Sequence, residues 1–140
     1  MTDASWNAVM AQLQAVQRDF ANGDAAGIKE LYSHREDVTV LGSFGGFERG
    51  WSEVGPRLEW AASHFAGGTY SQQDISAAVG TNLACLVSLE RRSYTDAHDH
   101  SDRLLELRVT QLFRREDGEW RLVHRHADPL MQQRPPSTEA

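Results

Sequence analysis

Three ionisable side chains near the carboxyl end of the chain have types and spacing that suit acid–base chemistry. His124 and His126 are two residues apart, and Arg108 lies in the apolar-rich segment before them. An imidazole can accept and return a proton near neutral pH, and a guanidinium can stabilise an enolate or a carboxylate. We therefore predict that His126 is a proton shuttle, Arg108 holds negative charge and His124 is a second acid–base group. The alternative is structural, with Arg108 paired to Glu106 or Asp128 and His126 only hydrogen-bonded to it. In the same alternative, His124 is satisfied by a hydrogen bond with Thr110.

Histidine pairs of the form His-x-His occur twice, at His98/His100 and at His124/His126. On a strand this spacing places both imidazoles on one face, as many metal sites require. The first pair lies in a polar segment rich in aspartate, and no third ligand from another element accompanies either pair. The sequence therefore predicts no metal site. The acid–base chemistry above needs no metal or redox cofactor either.

The elements that would position these residues follow from hydrophobic periodicity. Apolar residues at three- and four-residue steps predict helices around residues 6–20 and 28–32 and from Ser52 to about Ala66. Alternation with period two predicts a short strand near residues 38–41. Four longer strands follow, at about Thr69–Val79, Leu83–Tyr94, Arg103–Arg115 and Glu119–Ala127. This order predicts an α+β cone, in which a curved antiparallel sheet and three helices enclose a pocket.

The turn between the last two strands decides which side chains share a face. A three-residue loop at Glu116-Asp117-Gly118 suits a type I turn followed by a left-handed glycine, and we favour it. It would pair Leu112 with Leu122, Thr110 with His124, and Arg108 with His126. The alternative is a two-residue loop at Asp117-Gly118. It would pair Phe113 with Leu122, and Gln111 with His124.

With the three-residue loop, one face of the hairpin mixes apolar and ionisable side chains and the other is mainly apolar. The mixed face contains Glu106, Arg108, Thr110, Leu112, Trp120, Leu122, His124 and His126. The apolar face contains Leu105, Leu107, Val109, Gln111, Phe113 and Val123. We expect the helices to cover the mixed face as a ligand pocket, and a second copy of the chain to cover the apolar outer face as a homodimer. The alternative reverses the faces, so that the apolar face is the core and the histidines lie on the surface.

Three stretches of the sequence resemble a known family. The run from Leu107 to His126 resembles the closing hairpin of SnoaL-like domains, which belong to the NTF2-like superfamily together with ketosteroid isomerases. The segments Phe20-Ala21-Asn22-Gly23-Asp24 and Gly45-Gly46-Phe47-Glu48-Arg49-Gly50-Trp51 also fit that pattern. The resemblance implies a cone-shaped α+β fold, a deep pocket and a dimer across the sheet. Members of the superfamily include isomerases, polyketide cyclases, dehydratases, epoxide hydrolases and non-catalytic association domains.

Several aromatic residues are candidates for the walls of such a pocket. The predicted ligand contacts are Tyr32, Phe44, Trp51, Trp60, Thr110 and Leu122. The alternative is that the aromatic residues are plain core. The function we expect is binding of a small apolar carbonyl compound, with an isomerisation, cyclisation or dehydration as the reaction. The alternative is a non-catalytic ligand-binding or dimeric association module.

Length, composition and charge limit the remaining possibilities. The chain has 140 residues, of which 40% are hydrophobic, enough for one domain that we place at residues 1–130 with a flexible tail at 131–140. A formal net charge of -6 argues against a protein that binds nucleic-acid phosphates. The single cysteine, Cys85, cannot form a disulfide within the chain, and no apolar run is long enough to span a membrane. The amino terminus lacks a basic and apolar leader, which predicts a cytoplasmic location.

Overall fold

The structure is a computed structural model that describes residues 3–134, within which it has three helices and six strands. In chain order the elements are α1 (Ala4–Phe20), α2 (Ala26–Leu31), β1 (Thr39–Leu41), β2 (Glu48–Arg49), α3 (Trp51–Ala62), β3 (Phe65–Val79), β4 (Leu83–Asp96), β5 (Asp102–Glu116) and β6 (Glu119–Pro129). The strands form one sheet in the order β2-β1-β6-β5-β4-β3. Strand β1 runs parallel to β6, and every other neighbouring pair is antiparallel. The predicted α+β fold, with a curved sheet and helices, is confirmed.

Helix α1 shows how the sequence places the helices against the sheet. Its buried apolar residues recur at three- and four-residue steps and include Trp6, Leu13 and Phe20. The Asp3 carboxylate caps the first turn, because Oδ1 accepts a hydrogen bond from the backbone N–H of Ser5 at 2.8 Å. Full burial of each large apolar side chain contributes about 1.5–3 kcal/mol. This stripe therefore fixes α1 over one face of the sheet, which we call the inner face.

The end of α3 differs from the prediction. The helix ends at Ala62 rather than near Ala66, and β3 already begins at Phe65. Gly67 has a left-handed backbone, with φ at 56°, and the pairing of β3 with β4 shifts between Ala66 and Thr69. Gly67 and Gly68 therefore form a bulge at the start of β3.

The predicted register of the last hairpin is wrong. Asp117 and Gly118 both have left-handed backbones, with φ at 52° and 80°, so the loop has two residues and Glu116 pairs with Glu119. A bulge at Val123 then shifts the register by one residue. The resulting pairs are Phe113 with Leu122, Leu112 with His124, Gln111 with Arg125, Thr110 with His126, and Arg108 with Asp128. The alternative, two-residue loop correctly gives the pair of Phe113 with Leu122. Its second pair, Gln111 with His124, is wrong because the bulge moves Gln111 opposite Arg125.

The predicted assignment of the two sheet faces is also wrong. The buried residues of β5 are Leu107, Val109, Gln111 and Phe113, which form the apolar face. The helices cover this face because it carries the larger apolar surface. The bulge at Val123 also separates Leu122, which is buried on the inner face, from His124 and His126 on the other side. The outer face of the sheet is therefore the mixed one.

The last described residues extend beyond the sheet. Residues 130–134 have neither helix nor strand, and the backbone N–H of Leu130 donates to the carbonyl oxygen of Glu106 at 2.9 Å. The remainder of the predicted tail, residues 135–140, lies outside the described residues. Among residues 3–134, no helix is both long and apolar enough to cross a membrane.

Candidate ligand-binding site

A cavity of about 60 Å³ lies between the inner face of the sheet and the helices. Each helix and each strand described above contributes at least one lining residue. Most of the wall is apolar, and its charged members are Glu48, Arg57, Arg92 and Arg125. The cavity is small, so the site suits a ligand of few non-hydrogen atoms.

Strand alternation places a polar cluster on the inner face of the sheet. Glu90 and Arg92 are two residues apart on β4 and are both buried. Arg125 on β6 is the cross-strand partner of Gln111 on β5. Because successive side chains of a strand point to opposite faces, these polar residues share the face that carries the core. The cavity thus has an apolar wall and a charged floor.

The pair formed by Arg125 and Glu90 is a closed ion pair with two hydrogen bonds. Arg125 Nη1 and Nη2 donate to the two carboxylate oxygens of Glu90 at 2.8 and 2.7 Å, and Nη1 also donates to Gln111 Oε1 at 3.1 Å. Burial by itself would raise the pKa of Glu90, but the charge and hydrogen bonds of Arg125, together with smaller effects of Arg92 and Tyr70, lower it. Burial likewise acts to lower the pKa of Arg125, and the attraction of Glu90 outweighs it, so that this pKa is raised. Each charge is therefore neutralised by the other.

Arg92 carries a charge that the cluster does not neutralise. Its side chain is 4% exposed, Nη2 donates to Gln17 Oε1 at 2.7 Å, and the nearest oxygen of Glu90 is 3.8 Å away. The guanidinium lies 5.1 Å from the centroid of the Phe65 ring. The buried Nε has no hydrogen-bond partner. Burial lowers the pKa of Arg92 to about 10, which still leaves the group cationic at neutral pH.

A second charged pair lines the cavity from β2 and α3. Arg57 Nε lies 3.7 Å from Glu48 Oε1, and Arg57 Nη2 donates to the carbonyl oxygen of Gly45 at 3.3 Å. The Arg57 guanidinium also stacks on Trp60, with its carbon 4.0 Å from the ring centroid. Glu48 Oε1 is buried and has no hydrogen-bond partner. These contacts fasten the loop after β1 to α3.

The residues predicted to carry the acid–base chemistry lie outside this cavity. Arg108, Thr110 and His126 line a separate open groove on the outer face, together with Asp128. Arg108 donates two hydrogen bonds to Asp128, at 3.0 and 3.1 Å. His124 Nδ1 lies 2.7 Å from Thr39 Oγ1 on that face. The prediction that these side chains lie under the helices is wrong, because the helices cover the apolar face of β5 and the bulge at Val123 places His124 and His126 on the opposite side.

Of the predicted ligand contacts, Phe44 lines the cavity. Tyr32 is buried in the core, where its hydroxyl donates to the carbonyl oxygen of Thr39 at 2.9 Å. Trp51 stacks on His34 with ring centroids 3.9 Å apart, and Trp60 packs against Phe44 from outside the lining. Leu122 is fully buried in the core. Thr110, as stated, lies on the outer face.

The charged cavity residues were not predicted, although β4 carries a usable signal. Glu90 and Arg92 are in phase with Leu86, which is buried, whereas Arg91 between them is exposed. Charged residues at two positions of the apolar face of a strand indicate a buried polar site, because such residues are rarely buried without partners. Glu48 had no comparable signal, because it lies on a strand of two residues.

The residues that could bind a metal stay apart in the described part of the chain. Between residues 3 and 134, no group of three or more His, Cys, Asp or Glu side chains is placed to hold a metal ion. His98 packs against His64, with ring centroids 4.5 Å apart and planes tilted by 53°, and the Asp96 carboxylate accepts a hydrogen bond from the backbone N–H of His98 at 2.8 Å. The cavity itself is lined by arginines and one glutamate, a set that suits an anion better than a cation.

Comparison with known proteins supports the fold. A family described as "SnoaL-like domain" matches residues 9–132. An NTF2-like superfamily protein from Salmonella enterica superposes with a TM-score of 0.76 at 16% sequence identity, covering 93% of this chain and 92% of that chain. No curated protein is similar enough in sequence to count as a relative.

Two further solved structures share the fold and differ in the role proposed for them. A protein from Streptomyces avermitilis, proposed to be a dehydratase of the NTF2-like family, has a TM-score of 0.75 at 16% identity and covers 89% of this chain and 94% of that chain. A protein from Thiobacillus denitrificans, proposed to be a calcium/calmodulin-dependent protein kinase type II association domain, has a TM-score of 0.68 at 16% identity. That match covers 91% of this chain and 94% of the other. At such identities the likeness establishes the fold alone.

Proposed function

The chain belongs to the SnoaL-like domain family, and we propose that it binds a small anionic molecule, such as a carboxylate, in the cavity under its helices. The observation that carries this proposal is the buried Arg92, whose Nε lacks a hydrogen-bond partner in the cavity wall. The cationic wall favours an anion over the neutral carbonyl compound that the sequence suggested. Acid–base catalysis by His126 and Arg108 is not part of this proposal, since both residues line the outer groove.

The charges in the cavity favour a ligand with one negative charge. Arg92 and Arg125 contribute two positive charges to the floor, and Glu90 contributes one negative charge. One positive charge therefore remains, and it lies on Arg92. A carboxylate at this point would accept a charge-assisted hydrogen bond from Nε, which is stronger than a bond between neutral groups. It would also relieve a buried polar atom that costs about 1–3 kcal/mol while it stays unpaired.

Titration with simple carboxylates tests the proposal. We expect propionate to bind the wild-type protein, as followed by calorimetry and by NMR shifts, and to lose measurable binding in Arg92→Met. The matched control is Arg108→Met, which removes an arginine from the outer face of the same sheet and should leave binding unchanged. Binding that survives in Arg92→Met, or a wild-type protein that takes up no small carboxylate, would contradict the proposal.

A second copy of the chain is the partner we propose for the outer face. Cys85, Val87, Leu89 and Leu112 are half-buried there with no helix over them, beside the Arg108–Asp128 pair. A partly apolar face of this kind is typical of an interface, and a two-fold axis would let the same patch serve both copies. The association-domain role proposed for a solved structure of this fold supports this view.

A substitution that adds a charge to the outer face tests the dimer. We expect sedimentation equilibrium to give the mass of two chains for the wild-type protein and of one chain for Thr110→Arg, because like charges would meet across the two-fold axis. The control, Gln12→Arg, adds the same charge on an exposed position of α1 and should stay dimeric. A monomeric wild-type protein at high concentration would refute the interface.

A further inference from the structure

Two buried atoms without partners lie in the wall of the same cavity. Among the described residues, the buried side-chain atoms that lack a hydrogen-bond partner are Glu48 Oε1, His64 Nε2, Ser88 Oγ, Arg92 Nε, Gln111 Nε2 and Trp120 Nε1. Arg92 and Glu48 are the two of these residues that line the cavity. Arg92 Nε can only donate and Glu48 Oε1 can only accept while the carboxylate is ionised. The cavity therefore offers one free donor and one free acceptor.

Both groups are held in place by their other contacts. Arg92 is fixed by Gln17 and by the aromatic ring of Phe65. The distance of 3.7 Å from Glu48 Oε1 to Arg57 Nε is too long for a hydrogen bond, so Oε1 keeps its capacity to accept one. Arg57 is meanwhile engaged by Trp60 and by the Gly45 carbonyl oxygen. Since native proteins leave few buried polar atoms unpaired, a complementary ligand is the simplest account of both.

We infer that the ligand is a short hydroxycarboxylate, whose carboxylate binds Arg92 and whose hydroxyl donates to Glu48. This inference rests on the proposed function and adds the second end of the ligand. The small volume favours one short molecule that reaches both groups. The hydroxyl would donate a hydrogen bond to Glu48 Oε1, which a carboxylate ligand without a hydroxyl leaves unpaired.

The total charge of the cavity separates a hydroxy acid from an amino acid. Three arginines (Arg57, Arg92 and Arg125) and two glutamates (Glu48 and Glu90) give one net positive charge around the site. A hydroxycarboxylate carries one negative charge and neutralises the site. A zwitterionic amino acid presents a donor to Glu48 as well, but it has no net charge. Arg57 already offsets the charge of Glu48, so an ammonium group there would leave an excess positive charge, whereas a neutral hydroxyl would not.

Isosteric ligands test both requirements. Glycolate and propionate have equal numbers of non-hydrogen atoms and differ by a hydroxyl in place of a methyl, and 3-hydroxypropionate and butyrate form a longer pair. We expect at least one hydroxycarboxylate to bind the wild-type protein about tenfold more tightly than its partner, as for one hydrogen bond to a charged acceptor. Glycine, which is isosteric with glycolate, should bind at least tenfold more weakly than glycolate.

Variants of Glu48 assign the preference to this residue. In Glu48→Met we expect the hydroxyl preference to disappear while propionate still binds. Glu48→Gln keeps an acceptor oxygen and should retain part of the preference, which covers the case in which Glu48→Met does not fold. The control is Glu59→Met, which removes an exposed carboxylate of α3 outside the cavity lining. It should leave the affinities for both ligands of each pair unchanged.

The outcomes separate this inference from the proposed function. If plain carboxylates bind through Arg92 but no hydroxyl preference exists, or if the preference survives in Glu48→Met, the inference is wrong and the proposed function stands. Glycine binding as tight as that of glycolate would also overturn it. If none of the carboxylates binds the wild-type protein, both are wrong.

Discussion

The two faces of the β5–β6 hairpin each carry an arginine paired with a carboxylate through two hydrogen bonds. On the inner face, Arg125 meets Glu90 at 2.7 and 2.8 Å, with side chains that are 9% and 1% exposed. On the outer face, Arg108 meets Asp128 at 3.0 and 3.1 Å, with side chains that are 60% and 43% exposed. The two pairs have nearly the same geometry, and the difference between them is contact with water.

That difference determines what each pair can do. Water screens the outer pair, so its net contribution to stability is small and either charge can be lost at little cost. The inner pair has no water to replace a lost partner, so removal of one charge leaves the other buried and unpaired. The same burial makes the extra charge of Arg92 a strong anchor for an anion, whereas Arg108 already has its carboxylate.

The largest expected effect comes from breaking the inner pair. We expect Glu90→Gln to lower the free energy of unfolding by about 3–5 kcal/mol, because Arg125 would lose its buried counter-ion. Asp128→Asn, which makes the same chemical change on the outer face, should cost less than about 1 kcal/mol. Urea denaturation at neutral pH measures both variants. Equal costs would mean that burial does not distinguish the two pairs.

Acid should weaken the inner pair in a defined direction. Burial raises the pKa of Glu90, but the charge and hydrogen bonds of Arg125, together with Arg92 and Tyr70, lower it below its ordinary value of 4.5 in the folded protein. The stability from this pair is therefore fully present above pH 4.5 and is lost as the pH falls through the folded pKa. We expect the stability difference between wild type and Glu90→Gln to shrink over that interval. A difference that stays constant down to the acid transition would contradict this assignment.

A smaller effect is expected from Arg92, although it lies in the same cluster. Arg92→Met removes a charge that is not neutralised and leaves the Arg125–Glu90 pair intact, at the cost of an unpaired Gln17 oxygen. We expect these changes to offset each other, with a net change in the free energy of unfolding below about 1.5 kcal/mol. Urea denaturation beside Glu90→Gln provides the comparison. A loss as large as that of Glu90→Gln would show that Glu90 depends on Arg92 as much as on Arg125.

The order of the elements could be predicted from the sequence, but the assignment of the two hairpin faces could not. The order of helices and strands followed from periodicity because each element keeps one apolar stripe, as α1 does from Trp6 to Phe20. The faces of the last hairpin did not follow, because they depend on a turn and on a bulge. Asp117-Gly118 is compatible with both loops, since aspartate tolerates the left-handed region. Nothing local to Val123 marks it as the extra residue.

The candidate site was missed for a related physical reason. Histidine is the usual candidate for acid–base chemistry because its ordinary pKa is near neutral, and this favoured His124 and His126 in the sequence. Both lie on the outer face, which water reaches. The charged residues that matter for the cavity, Glu90 and Arg92, look like an ordinary solvated strand segment unless the phase of β4 is followed from Leu86. Their importance comes from burial, which a local sequence pattern expresses only through that phase.

The smallest expected effect tests the outer face through His124. Burial, and secondly repulsion from His126, lowers the pKa of His124 below its ordinary value of 6.5. The unfolded chain therefore binds the proton more readily, so stability is fully present above pH 6.5 and declines as the pH falls below it. We expect urea midpoints measured between pH 7.5 and 5.5 to show this slope in wild type, a weaker slope in His126→Gln and none from this site in His124→Gln.

The same slope reports whether a second copy covers the outer face. Covering the face would remove water from the His124 imidazole and disfavour its protonation further, so acid would oppose association as well as folding. We therefore expect the pH slope to grow with protein concentration in wild type and to be independent of concentration in Thr110→Arg. A wild-type slope that does not depend on concentration would mean that no second copy covers the outer face, and that His124 and the Arg108–Asp128 pair stay in contact with water.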